Sequence, residues 1–271
     1  MQYHRATSLD EALRLLRSPR AVAVAGGTAL MAEGIPPEAE LLVDVSALPL
    51  RDVREEDGGL TLGGLVTLEA LRTAPQVIAF ADGVLAEAAR LTATSVLRHR
   101  GTLAGALLTG LARGDLPAAL LALEAEVAVC SQEGEEMRPL EAFYAAWDGR
   151  PLRSLIAHVR VPALPAGARA RLVRVARTPR DQAILTVTAV GVVAEGRLEG
   201  VRVAAAGVGQ RPVRLRQVEA ALRGEAAEPD AVQQAAAAAL EGLPLPDDTL
   251  ASAAYRRAVL PVLVRRAVVG R

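Results

Sequence analysis

The chain has 271 residues, of which 51% are hydrophobic, and it carries 31 basic and 31 acidic side chains. No apolar run reaches the ~20 residues that a membrane-spanning helix needs, and the first residues lack the apolar core of a secretory leader. A net charge of +0 and an aromatic content of 2% disfavour a nucleic-acid surface. We therefore expect a cytoplasmic protein of two or three compact units, with neither nucleic acid nor membrane as a partner.

Side chains that could perform catalysis by themselves are few. Cys130 is the only cysteine and lies in an apolar stretch, which is typical of a core residue rather than a nucleophile. The histidines His4, His99 and His158 lack the paired spacing of a zinc site. Neither a Gly-x-Ser-x-Gly motif nor a Walker loop occurs. The sequence therefore predicts no metal ion in this chain and gives no support to serine-hydrolase or P-loop chemistry.

The first part of the chain alternates predicted helices and strands, which indicates a small α/β unit. Ser8 and Glu11 form a capping box that begins the first helix. The segment Ala21–Leu30 predicts a buried strand that ends at the double glycine Gly26–Gly27. The predicted elements are a helix over Leu9–Arg17, a loop over Met31–Pro37, strands over Leu41–Val45, Gly59–Leu65, Glu126–Cys130 and Leu152–Val161, and helices over Leu68–Arg72, Pro75–Leu91 (broken near Asp82–Gly83) and Leu116–Leu123.

A change of pattern follows Pro162–Gly167, the best linker candidate. Strands followed by helices predict a separate α+β domain beyond it. The strands are expected over Arg171–Arg177, Ala183–Ala194 and Leu198–Gly207, and the helices over Arg214–Leu222, Pro229–Leu240 and Ala251–Val269. We predict one domain over 1–163, with subdomains of about 1–54 and 55–163, and a second domain over 168–271. The arginines Arg256–Arg257 and Arg265–Arg266 predict a charged face on the last helix.

Two glycine turns, far apart in the sequence, are the strongest candidates for a binding site. Gly26–Gly27 follows a strand, and Gly101 and Gly105 form a second turn. Glycines allow positive φ and close approach to the backbone, and successive amides of such a turn can bind a phosphate. Together the two turns could close on the two phosphates of one dinucleotide. An ordinary strand-to-loop turn remains the simpler interpretation of either turn by itself.

Five short motifs in this order resemble the FAD-binding medium subunit of the molybdenum hydroxylases, the xanthine dehydrogenase and carbon monoxide dehydrogenase family. They are A-G-G-T-A-L at 25–30, the second turn at 97–106, D-L-P-A-A-L at 115–120, the segment 207–224 that begins G-V-G, and the end of the chain at 251–267. The resemblance implies an α+β fold class. A two-subdomain α/β FAD-binding (PCMH-like) domain would be followed by a C-terminal α+β domain of the CO dehydrogenase flavoprotein type.

The same resemblance implies roles in cofactor binding for this chain and no catalytic residue. The residues carried over from its motifs are Ala25, Gly26, Gly27, Thr28, Ala29, Leu30, Arg98, Gly101, Thr102, Gly105 and Asp115. The implied cofactor is FAD, which passes electrons from iron–sulfur clusters to an external acceptor. The implied partners are a molybdopterin-binding large subunit and a [2Fe-2S] small subunit. We further expect an apolar partner surface near the two glycine turns, rimmed by Arg98 and Arg100.

Several positions depart from the family pattern, and most of them are places where the family has polar groups. Ala29 and Ala106 replace polar residues, while Ala104 replaces a glycine and requires a negative φ. Further along the second motif, Thr109, Leu111 and Ala112 stand where the family has other polar groups. Losing three side-chain hydrogen bonds, at roughly 0.5–1.5 kcal/mol each, weakens binding on the order of a hundredfold. We predict that the isolated chain binds FAD with no better than micromolar affinity.

Two functions therefore stay open at this point. The first is a flavin subunit that transfers electrons, and the second is a degenerate homologue that has lost FAD and serves as a scaffold or docking subunit. A different dinucleotide or a stand-alone role completes the alternatives.

Overall fold

The computed structural model describes residues 1–109, 114–178 and 181–270, except for the side chain of Glu33. Its helices are α1 Leu9–Leu16, α2 Thr28–Glu33, α3 Leu68–Thr73, α4 Pro75–Ala79, α5 Val84–Thr92, α6 Ser95–Arg98, α7 Leu103–Leu108, α8 Asp115–Ala122, α9 Leu140–Ala146, α10 Arg216–Leu222, α11 Pro229–Ala239 and α12 Ala253–Val269. Its strands are β1 Gln2–Arg5, β2 Ala21–Val24, β3 Leu41–Asp44, β4 Val53–Glu56, β5 Gly59–Gly63, β6 Glu126–Ser131, β7 Gly134–Pro139, β8 Leu155–Val161, β9 Arg169–Val175, β10 Leu185–Ala194, β11 Arg197–Ala206 and β12 Val213–Arg214.

The N-terminal unit is a parallel sheet in the order β1-β3-β2, packed against α1. The Ser8 hydroxyl accepts a hydrogen bond from the Glu11 amide at 3.2 Å, and the Glu11 carboxylate accepts one from the Thr7 amide at 2.7 Å. The Ser8 cap therefore begins α1 as expected, while Glu11 bonds to the amide of Thr7, one residue before the cap, in place of the Ser8 amide. Leu13 and Leu16 of this helix are buried with Val43 of the central strand. This small core fixes the end of β2, where the first glycine turn starts.

The second unit is an antiparallel sheet in the order β4-β5-β8-β6-β7, covered by helices. All residues of α8 are buried, so that this helix forms the centre of the unit. The predicted break between α4 and α5 is confirmed, because Ala81 and Asp82 have φ of 51° and 54° in a short 3₁₀ turn. This helical layer positions the second glycine turn, which lies between α6 and α7.

The C-terminal unit is an antiparallel sheet in the order β12-β11-β10-β9, covered by α10, α11 and α12. Arg256 of α12 is fully buried, in contrast to the exposed charged face that its sequence predicts. Its guanidinium donates to the carbonyls of Pro246 and Ala251, both at 2.6 Å, and to Asp248 Oδ2 at 2.8 Å. Arg256 therefore fixes the segment before α12 and is not available to a partner.

The described strands before and after 162–168 belong to different sheets. The two parts nevertheless share a core, because Ala170, Val190 and Ala204 pack with the buried residues of the second unit. In addition, the Ala170 amide donates to Asp82 Oδ2 at 2.8 Å. The division at 163/168 stays a prediction, and the sheets are arranged as it requires.

The sequence-based assignment was wrong for residues 31–33 of the loop predicted over 31–37, because Thr28–Glu33 forms α2. Gly27, with φ of 70° and no side-chain cap, precedes this helix, so the usual polar start signal is missing. The strands β1, β4, β7 and β12 and the helices α6, α7 and α9 were not predicted. Leu111 and Ala112, singled out as departures from the family, lie outside the described residues.

Candidate cofactor-binding cleft

A cleft of about 1020 Å³ lies where the three units meet. It is lined by the end of β2, by α2, by the turn between α5 and α7, by 147–156 and by Asp181–Ala183. The cofactor-binding residues predicted from the sequence all line this one cleft, namely Ala25, Gly26, Gly27, Thr28, Ala29, Leu30, Arg98, Gly101, Thr102, Gly105 and Asp115. The fold thus brings together motifs that are up to ninety residues apart in the chain.

The first glycine turn presents a run of free backbone amides. Within the described part of the chain, the amides from Gly26 to Leu30 have no hydrogen-bond acceptor. Gly27 has a φ of 70°, which reverses the chain between β2 and α2. Consecutive unpaired N–H groups that line a cleft form a concave site of positive partial charge. This turn therefore has the chemistry to hold a phosphate group.

Gly26 is required for a different reason than Gly27. A Cβ at Gly26 would lie 1.8 Å from the carbonyl oxygen of Arg100, so the two turns touch backbone to backbone. Gly26 does not have a positive φ, in contrast to its neighbour. Any side chain at this position would push the second turn away from the first. The two turns can therefore lie this close only because residue 26 has no Cβ.

The second turn differs from the first, because its amides at Ala104 and Gly105 are already hydrogen-bonded within the protein. The Gly105 amide donates to Thr102 Oγ1 at 3.2 Å, and the Ala104 amide donates to the Gly64 carbonyl at 2.8 Å. Ala104 lies in α7 and so has the negative φ that alanine needs. The expectation that both turns offer amides to the two phosphates is therefore wrong at Gly105. Its amide already caps the helix through Thr102.

Arg98 is fixed by neighbouring groups of the protein. Its Nε donates to Glu69 at 2.7 Å, and a terminal nitrogen donates to the carbonyls of Arg90 and Ala93 at 3.1 and 2.9 Å. Hydrogen bonds from Arg72 and then Arg98 lower the pKa of Glu69 to about 2. Arg98 therefore joins α3 to the end of α5, and it shapes the cleft wall rather than offering a free cation at its rim.

Asp115 lies at the start of α8 and contacts the C-terminal sheet. It is 3% exposed, its Oδ1 accepts a hydrogen bond from the Thr186 hydroxyl, and its Oδ2 lies 3.3 Å from Arg174 Nε. Burial raises the pKa of Asp115, although Thr186 and Arg174 act in the opposite direction. Arg174 also donates to the carbonyl of Asp181. The sequence analysis missed Arg174 and Thr186; the signal was an arginine between Val173 and Val175 in an apolar strand.

Trp147 lies on the wall formed by 147–156. The Arg211 guanidinium lies 5.4 Å from the centre of the Trp147 ring and donates to the Tyr144 carbonyl. The Trp147 indole in turn donates to the Arg150 carbonyl at 2.8 Å. A cation over the face of an indole is an attractive pair that restrains both groups. Arg211 of the C-terminal unit therefore anchors this wall of the cleft.

Large apolar side chains are exposed near the glycine turns. Val96 is 76% exposed, Leu97 45% and Met31 62%, and both Leu97 and the loop after α2 belong to the surroundings of the cleft. Arg100 is exposed beside them, whereas the Arg98 side chain is only 14% exposed. Exposed apolar side chains therefore occur near the second turn, the partner surface expected there stays a prediction, and the Arg98 side chain is too little exposed to form its rim.

The described residues, 1–109, 114–178 and 181–270, contain no group of three His, Cys, Asp or Glu side chains placed to hold a metal ion. None of their helices combines the length and apolar character needed to span a bilayer. Cys130 is buried, and burial together with Glu135 raises the pKa of its thiol to about 12, so that it is a core residue and not a thiolate.

Two known families match this chain. The family described as the FAD binding domain in molybdopterin dehydrogenase matches residues 1–164. The chain belongs to this family. The family described as the CO dehydrogenase flavoprotein C-terminal domain matches residues 172–269. These matches confirm the resemblance inferred from the motifs, and they give FAD as the cofactor of the fold.

Individual relatives align along nearly the whole chain. The 6-hydroxypseudooxynicotine dehydrogenase complex subunit alpha of Paenarthrobacter nicotinovorans is 32% identical, over 96% of this chain and 90% of the relative. The carbon monoxide dehydrogenase medium chain of Hydrogenophaga pseudoflava is 29% identical, over 98% of this chain and 95% of the relative. The solved structure of carbon monoxide dehydrogenase from Hydrogenophaga pseudoflava superposes with a TM-score of 0.90 at 31% identity, over 98% of this chain and 95% of that chain. These homologues are subunits of oxidoreductases, which confirms the predicted enzyme class and fold class.

Proposed function

We propose that this protein is the flavin subunit of a cytoplasmic molybdenum hydroxylase, where it holds FAD between iron–sulfur clusters and an external electron acceptor. The observation that carries the proposal is the run of unpaired amides from Gly26 to Leu30 in a cleft that the FAD-binding family match covers. The relatives support a role within a multi-subunit complex, because their names describe subunits or medium chains of dehydrogenases.

The residues present fit the dinucleotide part of FAD. The amides of the first turn suit the pyrophosphate, since they provide several N–H donors without a side chain. Gly26 keeps the second turn close enough for Thr102 and Gly101 to complete the wall. The cleft volume of about 1020 Å³ is at the upper end of ordinary cofactor sites. Bound FAD would supply a two-electron carrier, while the protein supplies position and electrostatics.

The protein itself needs no catalytic residue for this role. Its contribution is to bind FAD, to exclude water from one side of it and to present the other side to a donor. We assign the exposed Val96, Leu97 and Met31 to the surface that meets a [2Fe-2S] subunit, with a molybdopterin-binding subunit as the further partner. Apolar side chains beside a cofactor cleft are typical of a protein interface.

The test is co-expression with genes for the two partner subunits, followed by size-exclusion chromatography and a visible spectrum of each fraction. We expect this chain to elute with both partners and to carry flavin absorbance in stoichiometric amount. Partners that assemble without this chain would contradict the proposal. An assembled complex that contains this chain but no flavin would instead favour the scaffold function.

The scaffold function is the second candidate because of specific positions in the cleft. Ala29 and Ala106 line it with methyl groups where the family has polar side chains. Titration of the isolated chain with FAD distinguishes the two candidates. A flavin subunit binds FAD weakly but saturably with one site, whereas a scaffold shows no saturation up to millimolar FAD.

A further inference from the structure

The turn between α4 and α5 has a backbone conformation that its side chains do not favour. Ala81, Asp82 and Gly83 have φ of 51°, 54° and 73°, so three successive residues are left-handed and two of them are not glycine. In this region the Cβ of an L-residue crowds the following carbonyl oxygen, and such residues normally occur singly. Alanine has no polar side chain that could bond locally and compensate. Ala81 is therefore a strained position in the folded chain.

The other non-glycine residues with positive φ in the described part of the chain have local reasons for it. Asp57 and Glu195 each precede a glycine in a two-residue hairpin loop, where such turns require positive φ at both positions. Glu124 follows α8 in a Schellman motif, which the Glu124 and Ala125 amides close onto the Leu121 and Leu120 carbonyls.

The pair Ala81–Asp82 belongs to neither kind of turn. The strands of a hairpin do not flank it, because it lies between two helices. Phe80, which separates it from α4, is extended, with φ of −80° and ψ of 135°, so the pair does not continue a helix end as Glu124 does. The reason for its conformation must therefore come from a contact with another part of the fold.

That contact is made by the Asp82 side chain with the C-terminal sheet. Its Oδ2 accepts a hydrogen bond at 2.8 Å from the amide of Ala170, which is 88 residues away in the chain. Its Oδ1 lies 2.9 Å from a terminal nitrogen of Arg169. Both partners stand at the start of β9, the outer strand of its sheet. Because the Arg169 side chain is 77% exposed, the ion pair contributes little, and the bond from the Ala170 amide carries the contact.

The same turn is connected to the cleft. The helix α5 begins directly after Gly83, and its last residues, Arg90 to Thr92, line the cleft wall. A right-handed backbone at Ala81 and Asp82 would relieve the strain, and the sequence pattern over Pro75–Leu91 is already helical on both sides of the turn. The change would also redirect the Asp82 carboxylate away from β9, because φ and ψ set the direction of the side chain.

We propose that Ala81–Gly83 is a strained latch between the two domains. Its left-handed backbone is held by the docking of β9 onto Asp82, so that undocking of β9 and relaxation of the turn are one step. The docked and the relaxed turn are two states of one equilibrium, and any partner or ligand that prefers one of them shifts it. Opening of the latch loosens the α5 wall of the cleft, since α5 starts at the turn. The inference does not depend on bound FAD.

The test is native-state hydrogen exchange of the full chain, followed at two amides. One is the Ala170 amide, and the other is the Val84 amide, which donates to the Ala81 carbonyl inside the turn. If opening is one step, both amides of the wild type exchange with the same opening constant. Ala81→Gly relieves strain in the docked state only, because glycine adopts positive φ freely. We therefore expect it to slow exchange about tenfold at both amides, including Ala170 in the other domain.

Asp82→Ala is expected to act in the opposite direction. It removes the acceptor on which the docking depends and leaves the strain of the turn in place. We expect the Val84 amide to exchange at least about tenfold faster in this variant, although Val84 makes no bond to Asp82. Two neighbouring substitutions with effects of opposite sign are the signature of a latch, whereas a contact that only adds stability gives no slowing with glycine at position 81.

Matched controls separate strain from composition and charge. Ala79→Gly introduces the same residue two positions earlier, where φ is an ordinary −74°, and we expect no slowing at either amide. Arg169→Gln removes the exposed ion pair, and we expect both amides to stay within about twofold of the wild type. Ala81→Gly without slower exchange at Ala170 would overturn the inference, as would unchanged exchange at Val84 in Asp82→Ala. If Asp82→Ala does not fold, Ala81→Gly and Ala79→Gly decide the question between them.

Discussion

At the scale of single residues, Gly26 decides whether the cleft exists. A Cβ there would lie 1.8 Å from the Arg100 carbonyl oxygen, which is backbone and cannot turn aside. We expect Gly26→Ala to separate the two turns, to weaken FAD binding at least about tenfold and to lower the melting temperature. The measurements are FAD titration and thermal unfolding.

The matched control for Gly26→Ala is Gly209→Ala. Gly209 has no positive φ, and a Cβ there meets no atom within 4 Å. We expect this control to keep the wild-type melting temperature and affinity. Wild-type FAD affinity in Gly26→Ala would show that the contact between the turns is unnecessary.

The polar groups missing from the cleft give a second prediction at this scale. Ala29 lies in the first turn of α2 and Ala106 in α7, and both line the cleft. Replacing Ala29 with Asp and Ala106 with Asn restores groups that can bond to FAD. We expect a gain of about tenfold or more in affinity, at roughly 0.5–1.5 kcal/mol for each hydrogen bond.

The control for this gain is the same pair of changes away from the cleft, Ala237→Asp with Ala238→Asn on the exposed side of α11. These changes should leave FAD affinity unaltered. An unchanged affinity in the cleft variant as well would mean that Ala29 and Ala106 do not face the cofactor. The prediction of weak FAD binding would then lose its basis.

At the scale of elements, the sequence predicts what periodicity and caps encode. The capping box at Ser8 begins α1, and the break at Asp82 separates α4 from α5. The sequence-based prediction fails for α2, because Gly27 stands where a capping side chain is usual. It also fails for β1, because all residues of this strand are exposed and show no alternation of apolar and polar side chains. Tertiary pairing with β3 holds β1 as a strand, and no local signal reports that pairing.

The cleft shows the same division between local and long-range information. The motifs predict which residues line it, because a strand, two glycines and a helix can be recognised locally. The function of each group depends on contacts that only the fold makes. The Ala104 amide donates to the Gly64 carbonyl and Arg98 donates to Glu69, and both contacts depend on how distant segments of the chain pack. Arg174 was missed because its partner Asp115 is fifty-nine residues away in the chain.

Glu69 of α3 gives a prediction for this helical layer. Hydrogen bonds from Arg72 and Arg98 lower its pKa to about 2 from the ordinary value of 4.5. A depressed pKa of an acid contributes stability above the unfolded value, and this contribution is lost as the pH falls from 4.5 towards 2. We expect Glu69→Gln to be less stable than the wild type at pH 7, with the difference shrinking over that range.

The measurement is urea unfolding of both proteins at several pH values. Glu87→Gln is the control, because Glu87 forms an exposed i,i+3 pair with Arg90 on the neighbouring helix and holds no distant element. We expect it to follow the wild type closely. A difference for Glu69→Gln that stays constant between pH 7 and pH 2 would contradict the assignment of Glu69 as an ionised clamp.

At the scale of the whole molecule, we expect that cleavage of the chain between the two domains leaves them bound to each other. The segment 162–168 joins different sheets, and most of its residues are at least partly exposed. Limited trypsin digestion should cut near Arg169 and give one fragment on each side. Because α8 packs against β10 and β11, both fragments should still elute together under native conditions.

Two outcomes of the digestion would contradict this expectation. First cleavage inside either domain would place the boundary elsewhere. Fragments that separate without denaturant would show that the shared core around Ala170, Val190 and Ala204 contributes little stability. A gel of the time course and a native size-exclusion run report the two results independently.

The partner surface is the last property that belongs to the whole molecule. Val96 and Leu97 of α6 are 76% and 45% exposed beside the cleft. The helix α6 is only four residues long, and the hydrogen bonds of Arg98, its last residue, hold it in place. Replacing Val96 and Leu97 with Asp leaves the buried core untouched, and we expect the melting temperature to stay near that of the wild type. Two carboxylates in an apolar contact are costly to desolvate, so we expect the variant to assemble with the iron–sulfur subunit at least about tenfold more weakly.

The control for this variant is Val193→Asp, because Val193 is 55% exposed and lies on β10 outside the cleft. We expect this control to assemble like the wild type. Wild-type assembly of the Val96 and Leu97 variant, measured by titration of the purified subunits, would place the electron donor on another face of the protein.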